Sequence, residues 1–148
     1  MILVFFLALI HPMVFSHCEI PCGIYNDEMR IQIIAEHITT IEKAMKQVQE
    51  LSKEDPKNFN QIVRWIVNKE KHAEEIQHIV SQYFLTQRIK FPDENDAEAM
   101  ASYQKKLSIC HSLLVYAMKT KQTMDLANVE KLKSLLHDFE HAYFGKKD

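Results

Sequence analysis

The residues best suited to chemistry stand together near the N-terminus, in the run His17-Cys18-Glu19-Ile20-Pro21-Cys22-Gly23-Ile24-Tyr25. Pro21 and Gly23 are turn formers. They flank Cys22, so the chain can curl and bring the sulfurs of Cys18 and Cys22 to one point. A cut after Ser16 would make His17 the first residue and give it a free α-amine. The curl then offers two thiolates, that amine, the Cys18 backbone amide once deprotonated, and the His17 imidazole as an axial fifth donor. A planar set of two nitrogens and two sulfurs suits Ni(II) or Cu(II) rather than Zn(II), which prefers a tetrahedron. Redox logic then favours nickel. Thiolates and an anionic amide are strong donors and pull a Ni(III)/Ni(II) couple down into a usable range. The cost is a thiolate beside an oxidant, exposed to sulfenic acid formation.

Other chemistries fit these cysteines less well. A small Cys18–Cys22 disulfide loop suits a secreted protein, but leaves the histidine before Cys18 unexplained. Thioredoxin-like sites place two residues between their cysteines, and here there are three. A zinc site needs two more ligands from elsewhere. A carboxylate di-metal bundle needs two Glu-x-x-His pairs; Glu75-Ile76-Gln77-His78 is one such match with no second, and reads as a solvated helix face. His37, His111, His137 and His141 show no ligand spacing. Cys110 is alone in a helical pattern and reads as a small core residue.

The leader decides whether the hook can form. Residues 1–16 read MILVFFLALIHPMVFS, with an unbroken apolar run from Ile2 to Ile10. That is short of the roughly 20 residues a spanning helix needs and resembles the apolar region of a signal peptide. No Lys or Arg precedes it. The expectation is a leader over 1–16 removed by a processing peptidase, and a mature protein that is exported or organelle-targeted, with a cytoplasmic location as the alternative. No stable membrane association is expected.

Behind the hook (residues 17–25) one domain, 26–148, must hold it in place. Apolar positions Ile31, Ile34, Ile38, Ile41, Met45 and Val48 step by three and four, the spacing of one helical stripe. This predicts a first helix over about 27–52, with Asn26 or Asp27 as N-cap. A second is predicted over about 58–87, with Ile62, Trp65, Ile66, Ala73, Ile76, Val80, Tyr83 and Phe84 on its apolar face. A third over about 96–120 carries Met100, Tyr103, Leu107, Cys110, Leu114 and Ala117. A fourth over about 125–144 carries Val129, Leu132, Leu136, Phe139 and Tyr143, and Gly145 stops it. Long helices with short loops pack most simply as an all-α, antiparallel four-helix bundle.

Composition agrees with this. The chain has 148 residues, 47% hydrophobic and 26% charged, with two glycines, four prolines and a net charge of −2. So few breakers disfavour a turn-rich β fold. The near-neutral charge and the lack of a basic stripe with interleaved aromatics disfavour nucleic-acid binding.

The hook resembles the start of mature nickel superoxide dismutases: His-Cys, two variable residues, Pro-Cys-Gly, an aliphatic residue and Tyr. His17, Cys18, Pro21, Cys22, Gly23 and Tyr25 match every fixed position, and Ile24 is the aliphatic one. The likeness continues through His37–Met45, Arg64–Glu70 and Phe139–Phe144, and so covers nearly all of the chain after Ser16.

That resemblance implies one nickel per chain, cycling between Ni2+ and Ni3+. Its ligands are the amine and imidazole of His17, the amide and sulfur of Cys18, and the sulfur of Cys22. It implies conversion of superoxide to O2 and H2O2, with Tyr25 over the open face of the metal. It implies a cis bond before Pro21, a homohexamer, and Tyr83, in Ser81-Gln82-Tyr83-Phe84, as a further tyrosine lining the site. In some members a helix-1 carboxylate and a helix-2 arginine hold the axial imidazole. Here Gln32 falls at the carboxylate's position, and Lys69 to His72, with His72 itself, lie near the arginine's. The alternative from a different class is a secreted four-helix signalling protein with a Cys18–Cys22 disulfide and no metal.

Overall fold

The computed structural model describes residues 21–145. Among the described residues four α-helices form: α1 (Asp27–Leu51), α2 (Phe59–His78), α3 (Ala97–Gln122) and α4 (Ala127–Phe144). A π-helical segment, Ile79–Arg88, continues α2.

Local sequence explains most of the boundaries. Asn26 caps α1 by accepting from the Met29 N–H at 3.0 Å, and Asp27 and Glu28 place negative charge in its first turn. Asn58 caps α2 through the Gln61 N–H, and Asp96 caps α3 through the Ala99 N–H. At α4 the Asp125 carboxylate accepts the Ala127 N–H. Gly145 ends α4 in the left-handed region, φ +67°, with its N–H on the His141 carbonyl.

Cross-helix contacts fix the topology. Asp27 meets Tyr83 and His37 meets His72, so α1 and α2 run antiparallel. Lys69 meets Thr120 and Gln77 meets the Leu114 carbonyl, so α2 and α3 do as well. Asp27 meets Tyr143, Glu42 meets Lys133 and Gln49 meets the Met124 carbonyl, so α4 returns beside α1. The bundle is up-down-up-down, as predicted.

All six stripe positions predicted on α1 are buried, as are Cys110, Ala117, Val129, Leu132, Leu136 and Phe139. Burial pushes the Cys110 thiol up to about 12, so it is an inert core group. The second helix departs from expectation twice. Its first turns project from the core, leaving Phe59, Val63 and Val67 exposed and Trp65 half-buried. From Ile79 onward it is not α-helical: the Ile89 N–H reaches back five residues to the Phe84 carbonyl at 2.9 Å. The Thr86 hydroxyl and the Gln87 amide likewise bond the carbonyls of Ser81 and Gln82, five residues earlier. Among the described residues no helix is long and apolar enough to cross a membrane.

Candidate metal centre

Pro21, Cys22 and Gly23 form a bend at the end of the bundle where α1 begins. Gly23 has φ +74°, and a Cβ there would meet nothing within 4 Å. Its demand for glycine is therefore conformational: other residues rarely adopt this backbone state. The turn presents Cys22 and Ile24 to solvent. His17, Cys18 and the peptide bond before Pro21 lie outside the described residues.

Tyr25 is the point where the hook meets the bundle. Its ring stands edge-on to Tyr83 at 6.0 Å, and the Arg88 guanidinium carbon sits 4.2 Å from its centroid. Both partners are themselves held. Arg88 grips the Asp27 carboxylate as a fork, Nε at 2.9 Å from Oδ1 and Nη2 at 2.7 Å from Oδ2. The Tyr83 hydroxyl donates to Asp27 Oδ1 at 2.5 Å and accepts the Asn26 N–H at 3.1 Å. From α4, the Tyr143 hydroxyl donates to Asp27 Oδ2 at 2.8 Å. One carboxylate, two residues after Tyr25, thus ties together the root of the hook, the π-helical segment and α4.

The electrostatics match this geometry. Burial alone would raise the Asp27 pKa, but hydrogen bonds from Arg88, Tyr83 and Tyr143 outweigh it and hold the carboxyl below its ordinary value. Burial, reinforced by the Asp27 charge, pushes Tyr143 up to about 12 and Tyr83 upward as well. Both phenols therefore remain donors at neutral pH.

The π-helical segment is what makes the arrangement possible. In an α-helix, residues five apart differ by about 140° around the axis, at 3.6 residues per turn. With i→i+5 hydrogen bonding they fall on the same face instead. Tyr83 and Arg88 are five apart, and both reach Asp27. The sequence points to Tyr83 but not to Arg88, which falls just past the expected end of the second helix at about 87. It shows Asp27 only as a capping residue, and Tyr143 only as core.

The positions that the resemblance sets near the axial imidazole have the following neighbours among the described residues. Gln32 lines a groove of about 510 Å³ between α1 and α4, with Glu28, Lys133, His137 and Glu140. Lys69 is buried and donates to the carbonyls of Thr120 and Lys121 at the far end of α3. His72 pairs with His37. The residues around Pro21 are Arg30, His78, Ile79, Gln82 and Tyr83. Among the described residues no three His, Cys, Asp or Glu side chains are placed to hold a metal, so Glu75 and His78 build no such cluster.

The described part of the hook fits a nickel site on its chemistry. A soft sulfur donor is displayed on a turn whose φ only glycine adopts easily, next to a tyrosine fixed in place. Comparison with known proteins points the same way. No curated protein and no solved structure matches the chain. Residues 12–147 match the family model of nickel-containing superoxide dismutases, a span that includes the whole hook and all four helices. The match gives no support to a disulfide-bonded signalling bundle. The chain belongs to the nickel-containing superoxide dismutase family, and its activity is the nickel-dependent dismutation of superoxide.

Proposed function

We propose that His17 to Tyr25 is the nickel hook of this enzyme and becomes competent only after the chain is cut between Ser16 and His17. Before the cut, His17 offers an amide in place of an amine. After it, the amine and imidazole of His17, the amide and sulfur of Cys18 and the sulfur of Cys22 would hold one nickel per chain. When bound, nickel supplies a one-electron couple, so that two superoxides and two protons become O2 and H2O2. The observation that carries this reading is the exposed Cys22 on the left-handed Gly23 turn, three residues before the clamped ring of Tyr25.

The chain's own residues then have distinct tasks. Gly23 supplies the reversal that returns the chain toward Tyr25. Tyr25 restricts access to small anions, and Arg88 and Tyr83 keep its ring from swinging away. Asp27 fixes Arg88 and Tyr83 and neutralises the guanidinium.

The assembly is read as a homohexamer. Phe59, Val63 and Val67, an exposed stripe at four-residue spacing on α2, support burial against further copies. The apolar leader supports export or organelle import after a processing peptidase has acted.

One experiment tests the hook: determine the N-terminal residue and the metal content of the purified mature protein together. The expected result is a chain starting at His17 with one nickel, and loss of nickel in Cys22→Ser. A different first residue, or zinc in place of nickel, would overturn the reading.

A further inference from the structure

His37 on α1 and His72 on α2 face each other across the two helices. Their Nδ1 atoms are 2.7 Å apart and their ring centroids 4.9 Å apart. They are 35 residues apart in the chain, so no local spacing could mark them as a pair. Both are half-buried, held by the packing of α1 on α2 yet within reach of solvent. Burial lowers both pKa values from 6.5, so both rings are neutral at pH 7, the form in which imidazole binds a metal. The charged side chains that act on the pair are Glu36, Glu75 and Lys71. Carboxylates thus outnumber the ammonium, and Glu75, one turn beyond His72, acts on both rings.

We propose that His37 and His72 form a second metal site, a bis-imidazole clip that takes a divalent late-transition-metal ion such as Zn2+ and ties α1 to α2. The geometry is close to what such an ion needs. With metal–nitrogen distances of about 2.0–2.1 Å, two nitrogens stand about 2.9 Å apart at a right angle and about 3.3 Å apart at the tetrahedral angle. The rings need to part by only about 0.2 to 0.6 Å and tilt toward one point.

In the hydrogen bond between them, one Nδ1 carries the proton and the other a lone pair. On binding, the donor ring passes that proton through water to its own Nε2. Both Nδ1 lone pairs then go to the ion, each ring stays neutral, and nothing is oxidised or reduced. Among the described residues no three His, Cys, Asp or Glu side chains converge, so water completes the coordination, and Glu75 offsets the charge. Two imidazoles without a thiolate suit zinc, copper or nickel. His37 stands ten residues after Asp27. That is about 15 Å along the helix axis, so this site is separate from the root of the hook and does not rest on its reading.

Zinc is the probe. Equilibrium dialysis is run on the mature nickel-loaded chain, and in parallel on the chain with Cys18→Ser and Cys22→Ser, so that thiolate-bound zinc at the hook enters neither count. Both should take one zinc per chain, show a higher urea midpoint with zinc than without it, and shift the Nδ1 resonances of His37 and His72. His37→Gln and His72→Gln should each lose the zinc and the rise in midpoint, with far-ultraviolet circular dichroism unchanged. His137→Gln breaks the other stacked pair, whose rings lie 4.2 Å apart on α4, and should keep both. Absence of zinc from the unsubstituted pair, zinc retained in His37→Gln and His72→Gln, or zinc lost in His137→Gln overturns the proposal. Should a variant at the pair fail to fold, the nitrogen resonances decide: zinc that leaves both Nδ1 signals unmoved overturns it.

Discussion

Tyr83 and Arg88, five residues apart on the π-helical segment, both bond Oδ1 of Asp27, at 2.5 Å and 2.9 Å. Secondary structure is converted here into site geometry. An α-helical path would turn one of the two away, and Tyr25 would lose either its aromatic edge or its cationic face. π-helical turns recur at functional sites because they re-aim side chains in this way.

Asp27 is therefore expected to be the most sensitive residue at this end of the bundle. Asp27→Asn keeps the shape but leaves the Arg88 cation without its counter-charge. We expect a loss of about 2 kcal/mol at pH 7, read as a lower urea midpoint with unchanged m-value. The folded carboxyl lies below its ordinary value of 3.8, so its contribution is complete above pH 3.8 and is lost as pH falls through the folded value. The wild type and the variant should thus converge only in strong acid. Equal stability at pH 7 would show that the carboxylate holds nothing.

Tyr83→Phe separates ring from hydroxyl. The ring contacts to Tyr25 and Phe84 persist, while the Asn26 N–H loses its acceptor. A loss of about 1 kcal/mol in local stability corresponds to a roughly fivefold faster amide exchange at Asn26. Far-ultraviolet circular dichroism should not change. Exchange at the wild-type rate would mean that the root of the hook is anchored by other contacts.

These relationships mark how far the sequence could be read. The stripe Ile31, Ile34, Ile38, Ile41, Met45, Val48 is a pure 3.6-residue period, and every member is buried. The same rule misread residues 79–88. Val80, Tyr83 and Phe84 are spaced as in an α-helix, and periodicity carries no sign of the i→i+5 bonding that begins there. The hook's residue types were legible because ligand chemistry is written in adjacent residues. The support for Tyr25 was not, because Asp27, Arg88 and Tyr143 are up to 116 residues apart and meet only in the bundle. For Gln32 and Lys69 the resemblance carries no sign of the neighbours that the bundle gives them. Helix rotation turns Gln32 toward α4, and burial gives Lys69 a different partner.

The His37–His72 pair gives a second pH prediction. Their Nδ1 atoms are 2.7 Å apart across α1 and α2, so one ring donates and the other accepts. Double protonation would put a donor on both and break the bond. Burial lowers both pKa values; each ring also has a positive neighbour, His72 for His37 and Lys71 for His72, while Glu75 and Glu36 partly offset this at His37 and Glu75 at His72. The pair's contribution is thus full above pH 6.5 and is lost as pH falls below it. His72→Gln can keep a neutral hydrogen bond and cannot charge. Its unfolding free energy should fall less steeply than that of the wild type as pH drops below 6.5; identical slopes would exclude the pair as a titrating contact.

Lys69 tests what holds the opposite end together. It is 1% exposed, and its ammonium donates to the carbonyls of Thr120 and Lys121 at 2.6 and 2.5 Å, in the last turn of α3. There it meets both unpaired carbonyls and the negative end of the helix dipole. Lys69→Met fills similar space but leaves those carbonyls without a donor in a dry site, at a cost of about 2 kcal/mol. Lys121→Met removes only the ion pair to Glu74, itself 63% exposed, and should stay within about 0.5 kcal/mol. Nickel content should be unchanged in both, because Lys69 and Lys121 contact neither Tyr25 nor the residues around Pro21. A nickel-deficient Lys69→Met that still folds would instead mean that this end of the bundle governs the hook.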